Sequence, residues 1–147
     1  MVNSAINKKA YYNYEILEKL EAGIVLAGNE VKSIRAGKLN ISQAFVRIIR
    51  GEATIHNMEI QHYEHINSFR LEPTRTRKLL LKKSEISKLT GKIQEKGLTL
   101  VPLKVYITRQ YVKVQLGLGK GKKTADKRDS IKKRDLDREM GRNFKFR

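Results

Sequence analysis

Apolar and polar residues alternate along most of the first 118 positions, and the alternation then stops. Tyr14–Leu20 alternates loosely enough for a strand, Glu21-Ala22-Gly23 reads as a turn, and Ile24-Val25-Leu26 as a short buried strand. Ala44–Arg50 and Ala53–Met58 flank Gly51-Glu52, which predicts a hairpin with a two-residue turn. Leu98–Thr108 and Tyr111–Leu118 form a second hairpin, the latter with Val112, Val114, Leu116 and Leu118 on one face and Lys113 and Gln115 on the other. The period changes twice. Between Gly28 and Gly37, Val31 and Ile34 lie three apart, so one or two helical turns are expected there, with Glu30 as a first-turn carboxylate. From Ser84 to Lys96, Ile86, Leu89 and Ile93 repeat at helical spacing, Ser84 serves as cap and Gly97 as stop. Gly91 weakens that helix by about 1 kcal/mol relative to alanine.

Six short strands, two helices and regular turns suggest a small closed or nearly closed β-barrel, with a β-sandwich second. Residues 1–10 are polar and basic and read as an arm. The stretch Gly117–Arg128, with three glycines and dense lysines, reads as a flexible joint. It divides a body, residues 1–119, from a tail, residues 120–147. A phosphate-binding P-loop is excluded, because no register gives Gly, four residues, then Gly-Lys-Ser/Thr. In the tail Ile131, Leu136 and Met140 are too sparse for a core-facing stripe. The tail is therefore expected to be disordered when free and helical when bound to a negatively charged partner.

Charge sharpens this picture. The chain of 147 residues carries 32 basic and 15 acidic side chains, net +17. The body alone is +10 and the tail +7, so the excess is not confined to an appendage. Such a balance favours a polyanion through counterion release. No run of about 18 apolar residues and no signal peptide is found, which favours nucleic acid over membrane. Cysteine is absent, which excludes disulfides and thiolate chemistry and suits a reducing cytoplasm. Tryptophan is absent too, leaving Tyr, Phe, His and Arg for stacking on bases.

Candidate chemistry is otherwise sparse. His56, His62 and His65 are spaced six and three apart, which places the last on the opposite face of a strand. With no Asp nearby they read as packed or solvated rather than metal-ligating. Glu15, Glu18 and Glu21 are too irregularly spaced to converge on one phosphate, so nuclease chemistry is not supported. In Pro73–Leu81 an extended chain puts Arg75, Arg77, Leu79 and Leu81 on one face, presenting arginines rigidly at a strand start. The lysines Lys82, Lys83, Lys88, Lys92 and Lys96 read as a solvated helix face.

Six motifs occur in order: Asn7-Lys8-Lys9-Ala10, Glu21-Ala22-Gly23-Ile24, Glu30–Lys38, Arg75–Leu81, Thr99–Leu103, and Gly119–Lys123 followed by Asp126-Lys127-Arg128. Together, from about Asn7 to Arg138, they resemble the small protein B family of SsrA-binding proteins. The resemblance implies a barrel of oligonucleotide-binding type and a non-catalytic, cofactor-free, monomeric adaptor in the cytoplasm. Such an adaptor binds the tRNA-like domain of transfer-messenger RNA (tmRNA) and takes it to stalled ribosomes for trans-translation. Its tail enters the empty mRNA channel at the decoding region of the small subunit and becomes helical there. Alanyl-tRNA synthetase and elongation factor Tu take part through the same RNA.

By position, the resemblance places tmRNA contacts on Asn7, Glu21 and Leu79, supported by Lys8, Lys9, Lys32, Arg35, Arg75, Arg77 and Lys78. It places ribosome contacts on the tail residues Lys120, Lys122, Lys123, Asp126, Lys127, Arg128, Lys132, Lys133, Arg134 and Arg138. Two positions depart from the family pattern. Ala125 stands where His or Tyr is frequent, removing a side chain able to stack on a ribosomal base, and Asn29 replaces a common Thr. A ribosomal protein or general RNA chaperone is the competing reading of the same composition.

Overall fold

The structure, a computed structural model, describes residues 2–62 and 72–122, with side chains from residue 5 onward. In chain order the elements are β1 (Val2–Ile6), α1 (Lys8–Asn13), β2 (Tyr14–Ile24), α2 (Gly28–Arg35), β3 (Leu39–Asn40), β4 (Phe45–Ile49) and β5 (Glu52–His56). They continue with β6 (Glu59–Ile60), β7 (Arg77–Leu80), α3 (Lys83–Lys96), β8 (Thr99–Thr108) and β9 (Tyr111–Gly121). Among the described residues seven strands form one sheet in the order β1-β8-β9-β2-β7-β5-β4, and β3 pairs with β6 apart from it. All pairings are antiparallel.

The expected barrel does not close. The sheet curls until β4 lies along β8, but no ladder joins them among the described residues. A groove of about 340 Å³ runs between them, lined by Val46–Ile49 of β4, Thr90, Ile93 and Gln94 of α3, and Leu98–Leu100. Closure requires a continuous hydrogen-bonded stagger around the ring. Here that stagger is interrupted, and side chains of α3 line the gap between the two edges. Inside the curl lies the main core, including Ala22, Ile34, Ile55, Leu79, Val114, Leu116 and Leu118, each at most 1% exposed.

Several elements differ from their sequence reading, and each difference has a local cause. The amino-terminal arm is a strand followed by a helix. Its side chains carry little apolar signal, because β1 is held by backbone pairing to β8. Asn7 then caps α1: its Oδ1 accepts from the Ala10 amide at 3.2 Å, while its Nδ2 donates to the Pro102 carbonyl at 2.9 Å. Pro102 sits in an interior strand, where a missing donor is tolerated only at a bulge. The register does shift between Pro102 and Lys104. The turn expected at Glu21–Gly23 is continuous strand. Gly23 marks a close approach instead: a Cβ there would stand 3.2 Å from that of Leu80, its partner on β7.

The flexible joint is likewise ordered up to Gly121, so a boundary at 119/120 falls inside β9. Gly117 and Gly119 alternate on the sheet face that α1 covers. A Cβ at Gly117 would lie 2.8 Å from Leu103 Cδ1, and one at Gly119 would lie 3.1 Å from the Glu15 carbonyl oxygen. These glycines leave room for Leu103 of β8 and for Tyr14 and Ile16 of β2; they do not loosen the chain. A second small core of Ala10, Val101 and Leu103, flanked by Tyr14 and Ile16, forms there.

Other readings hold with small shifts. The first hairpin turns at Arg50-Gly51 (φ 52° and 75°), one residue earlier than read, with both residues left-handed as a two-residue turn of the favoured hand requires. Helix α2 forms with Glu30 in its first turn. Helix α3 is capped by Glu85, whose Oε1 accepts from the Lys82 amide at 2.9 Å, rather than by Ser84, and Gly97 ends it at φ 64°.

Two glycine substitutions separate these roles. Gly117→Ala is expected to lower stability by about 1–3 kcal/mol through overpacking. Gly91→Ala, in open space within α3, is expected to raise it by about 1 kcal/mol. Urea denaturation of both variants checks the pair; equal effects would refute the close-packing role of Gly117.

Candidate nucleic-acid interface

Two charged constellations are built on this frame. The first is internal. Glu30, at the start of α2, is 5% exposed and receives both arginines of the β7 approach. Arg75 donates to both carboxylate oxygens. Arg77, 1% exposed, donates from Nε to Oε2 at 2.8 Å, with its Nη2 2.6 Å from the same oxygen. The rest of the Arg77 guanidinium is also used: Nη1 donates to the Met58 carbonyl at 2.6 Å and to that of Arg75 at 3.1 Å, and Nη2 to that of Pro73 at 3.0 Å. The Ala27 amide adds a bond to Glu30 Oε1 at 2.9 Å. Burial alone would raise the Glu30 pKa, but the bonds from Arg75, Ala27 and Arg77 outweigh it and hold the carboxyl below its ordinary value. Burial pulls Arg77 down while Glu30 pulls it up; an arginine stays charged throughout.

The second constellation is on the surface. Glu21 of β2, together with Lys78, Leu80, Lys82, Lys83 and Lys113, lines a concavity of about 570 Å³ between the sheet, β7 and the start of α3. Glu52 and Glu85 stand at its rim, the first 3.8 Å from Lys78 and the second committed to capping α3. Gly23 lies in its lining, under the Leu80 side chain. From β8, Tyr106 donates its hydroxyl to Glu21 Oε2. Lys104 lies 5.6 Å from the Tyr106 ring centroid, and Lys113 stands 5.8 Å from that of Tyr111. Cationic side chains over aromatic rings beside an open sheet face are the materials of nucleic-acid binding.

The expected site residues are not all gathered here. Glu21 and Lys78 meet at the concavity, and Leu79 lies between its walls with its own side chain buried at 1% exposure. Lys8 and Lys9 are exposed on α1, over the small outer core, and Asn7 beside them is buried by its capping bonds. Lys32 and Arg35 are exposed on α2, which packs toward β6. Arg75 and Arg77 were expected to face phosphates. The strand alternation was read correctly, but the face it puts them on is the inner one, because Glu30 supplies the counter-charge there. Arg77 is therefore closed to solvent and Arg75 is partly so. Lys82, Lys83, Lys113 and Tyr106 become candidates only through the structure; Lys82 and Lys83 read as a solvated helix face, Lys113 as the polar side of a strand, and nothing local distinguishes Tyr106.

Lys120 and Lys122 belong to the end of β9 and its continuation, where the Lys122 amide donates to the Asn13 carbonyl at 2.9 Å. Lys123, Asp126, Lys127, Arg128, Lys132, Lys133, Arg134 and Arg138 lie outside the described residues, as do Tyr63, His65 and Phe69. His56 packs flat on Phe45, with centroids 5.0 Å apart, and bonds Thr54. Among the described residues no group of three or more His, Cys, Asp or Glu side chains could hold a metal. Nor is any helix there long and apolar enough to cross a membrane.

Fold and surface together define a small, strongly basic, sheet-built protein whose open face is suited to a polyanion. The chain belongs to the SmpB protein family, whose profile matches residues 4–146. It is 54% identical over 143 residues to the SsrA-binding protein of Carboxydothermus hydrogenoformans, covering 97% of this chain and 96% of that one. It is 53% identical over 136 residues to that of Gloeobacter violaceus, covering 92% and 90%. Among solved structures it is similar to a chain from the work described as "tmRNA-SmpB: a journey to the center of the bacterial ribosome", with 50% identity, a TM-score of 0.67, and 82% of this chain and 85% of that chain covered.

Glu30→Gln leaves the buried Arg77 guanidinium unpaired and is expected to cost about 3–5 kcal/mol in stability. In the wild type the folded protein holds the Glu30 proton more weakly than the unfolded chain does. Its stabilisation is thus complete above the unfolded glutamate value of about 4.3 and is lost as pH falls through the lower, folded value. Denaturation of both proteins between pH 3 and 7 checks this: their difference should shrink toward acid, and a constant difference would refute the assignment.

Proposed function

We propose that this protein is a non-catalytic adaptor that binds the tRNA-like domain of tmRNA and delivers it to stalled ribosomes for trans-translation. The observation that carries the reading is the family match through residue 146, which spans the folded body and the basic tail together. The relatives' name, SsrA-binding protein, and the ribosomal setting of the similar structure support the same partners. In this reading the open, curled sheet is a surface of oligonucleotide-binding type. Its concavity takes a folded RNA, whose 2′-hydroxyls, phosphates and unstacked loop bases are the readable features.

Within that reading the body, extending to Gly121, holds the RNA, and the tail beyond it tests whether the mRNA channel is empty. An occupied channel excludes the tail sterically, and its lysines and arginines, with the Asp126-Lys127-Arg128 motif among them, supply the affinity. The protein acts as a monomer in the cytoplasm, and alanyl-tRNA synthetase and elongation factor Tu meet it only through the RNA. Lys78, Lys82, Lys83, Lys113, Lys8 and Lys9 contact phosphates, whereas Arg77 acts indirectly by fixing β7. Lys32 and Arg35 form a second basic patch.

Salt dependence tests the division of labour. Lys78→Ala is expected to weaken binding of the tRNA-like RNA and reduce the salt slope by about one. Arg77→Lys should weaken binding through the fold and leave the slope unchanged. A reduced slope for Arg77→Lys would return that residue to the interface. Truncation after Lys122 should leave RNA affinity nearly intact and abolish tagging of stalled nascent chains; loss of both together would refute the split between body and tail.

A further inference from the structure

Glu21 is an exposed carboxylate among lysines, and its geometry is set from two strands away. In the sheet, Tyr106 of β8 stands opposite Lys113 of β9, which stands opposite Gly23 of β2; Glu21 stands opposite Gln115, which stands opposite Lys104. Tyr106 must therefore cross β9 to reach the acid. Gly23, next to Glu21 on the same face, has no side chain of its own, and Leu80 of β7 packs over it from the side away from β9. Tyr106 is only 4% exposed, and a buried phenol requires a hydrogen-bond partner for its polar tip. It donates to Glu21 Oε2, and Oε1 accepts no hydrogen bond from the described residues.

We propose that Tyr106 is the positioning residue for Glu21, holding one carboxylate oxygen so that the other is presented to an N–H or O–H donor of an RNA nucleotide in the lysine-lined concavity. The donor is a base amino or imino group or a ribose 2′-hydroxyl, all of which a carboxylate accepts and a phosphate cannot replace. This rests on the RNA-binding reading above. A glutamate on a sheet surface has many rotamers, and binding one of them costs conformational entropy. The Tyr106 bond removes much of that cost before RNA arrives. Burial, then the bond to Glu21, push the phenol far above its ordinary value, so it remains a donor at every working pH. The surrounding lysines attract the backbone, and the fixed acid rejects a phosphate placed where a base edge or ribose belongs.

The test is a double-substitution cycle on the full chain, using the tRNA-like RNA and ordinary tRNA as probes. Tyr106→Phe is expected to weaken binding of the tRNA-like RNA about tenfold and narrow its preference over tRNA, with the salt slope unchanged because no phosphate contact is lost. Glu21→Gln should do the same, and the double variant should be no worse than Glu21→Gln alone. If Tyr106→Phe weakens binding as much in the Glu21→Gln background as in the wild type, its role is merely structural and the proposal is overturned. A slowly exchanging Tyr106 hydroxyl proton, seen by NMR in the wild type and lost in Glu21→Gln, reports the bond independently of any effect on folding; its absence from the wild type overturns the proposal. Failure of the wild type to prefer the tRNA-like RNA overturns the RNA reading itself, whereas additive effects with that preference intact overturn the positioning alone.

Discussion

The pairing of Glu30 with Arg77 inside the curl is the constraint on which the rest depends. One carboxylate, at the start of α2, and one guanidinium, at the start of β7, are removed from water together. Neither is tolerable there without the other, because an unpaired buried charge costs far more than the pair contributes. The guanidinium also binds the carbonyls of Met58, Pro73 and Arg75, so one side chain ties the link between β5 and β6, the approach to β7 and the helix that follows β2. That tie sets where β7 begins. It thereby turns Lys78 and Leu80 outward to the concavity and Leu79 inward to the core.

A second constraint is the contact between α1 and the outer face of the sheet. It relies on an asparagine whose amide serves helix and strand at once and on a bulge that accommodates Pro102, while Leu103, Tyr14 and Ile16 beneath it demand glycine at two alternate positions of β9. All three are backbone requirements, met by residues whose side chains are small or fully engaged. Asn7, Gly117 and Gly119 thus act through geometry, whereas the lysines give the concavity its charge. In the proposed function, binding and folding fall to different residues on adjacent strands. Only at Glu21, held by Tyr106 and exposed to solvent, do the two meet.

Both hairpins, α2, α3 and the mainly β class were legible in the chain because each depends on a local period or a turn residue. The motifs that carry the family resemblance were legible for the same reason, being contiguous. Alternation also put Arg75, Arg77, Leu79 and Leu81 on one face, but it carries no sign for inside and outside. The arginines were assigned outward because isolated charge belongs in water. Glu30, some 45 residues earlier, reversed that assignment. Gly23, Gly117 and Gly119 were read as turn and joint because glycine is locally permissive, and no local signal separates permission from close packing.

What the sequence by itself determined is the strong basic balance, the order of most strands and helices, and the membership that follows from contiguous motifs. These are properties of neighbours along the chain or of simple totals. What only the tertiary structure decided is which charges are buried, which glycines are contacts, that the sheet stays open between β4 and β8, and that Tyr106 reaches Glu21 across an intervening strand. Each of these joins residues tens of positions apart. Their energies come from desolvation and steric fit between surfaces, and those surfaces do not exist until the chain has folded.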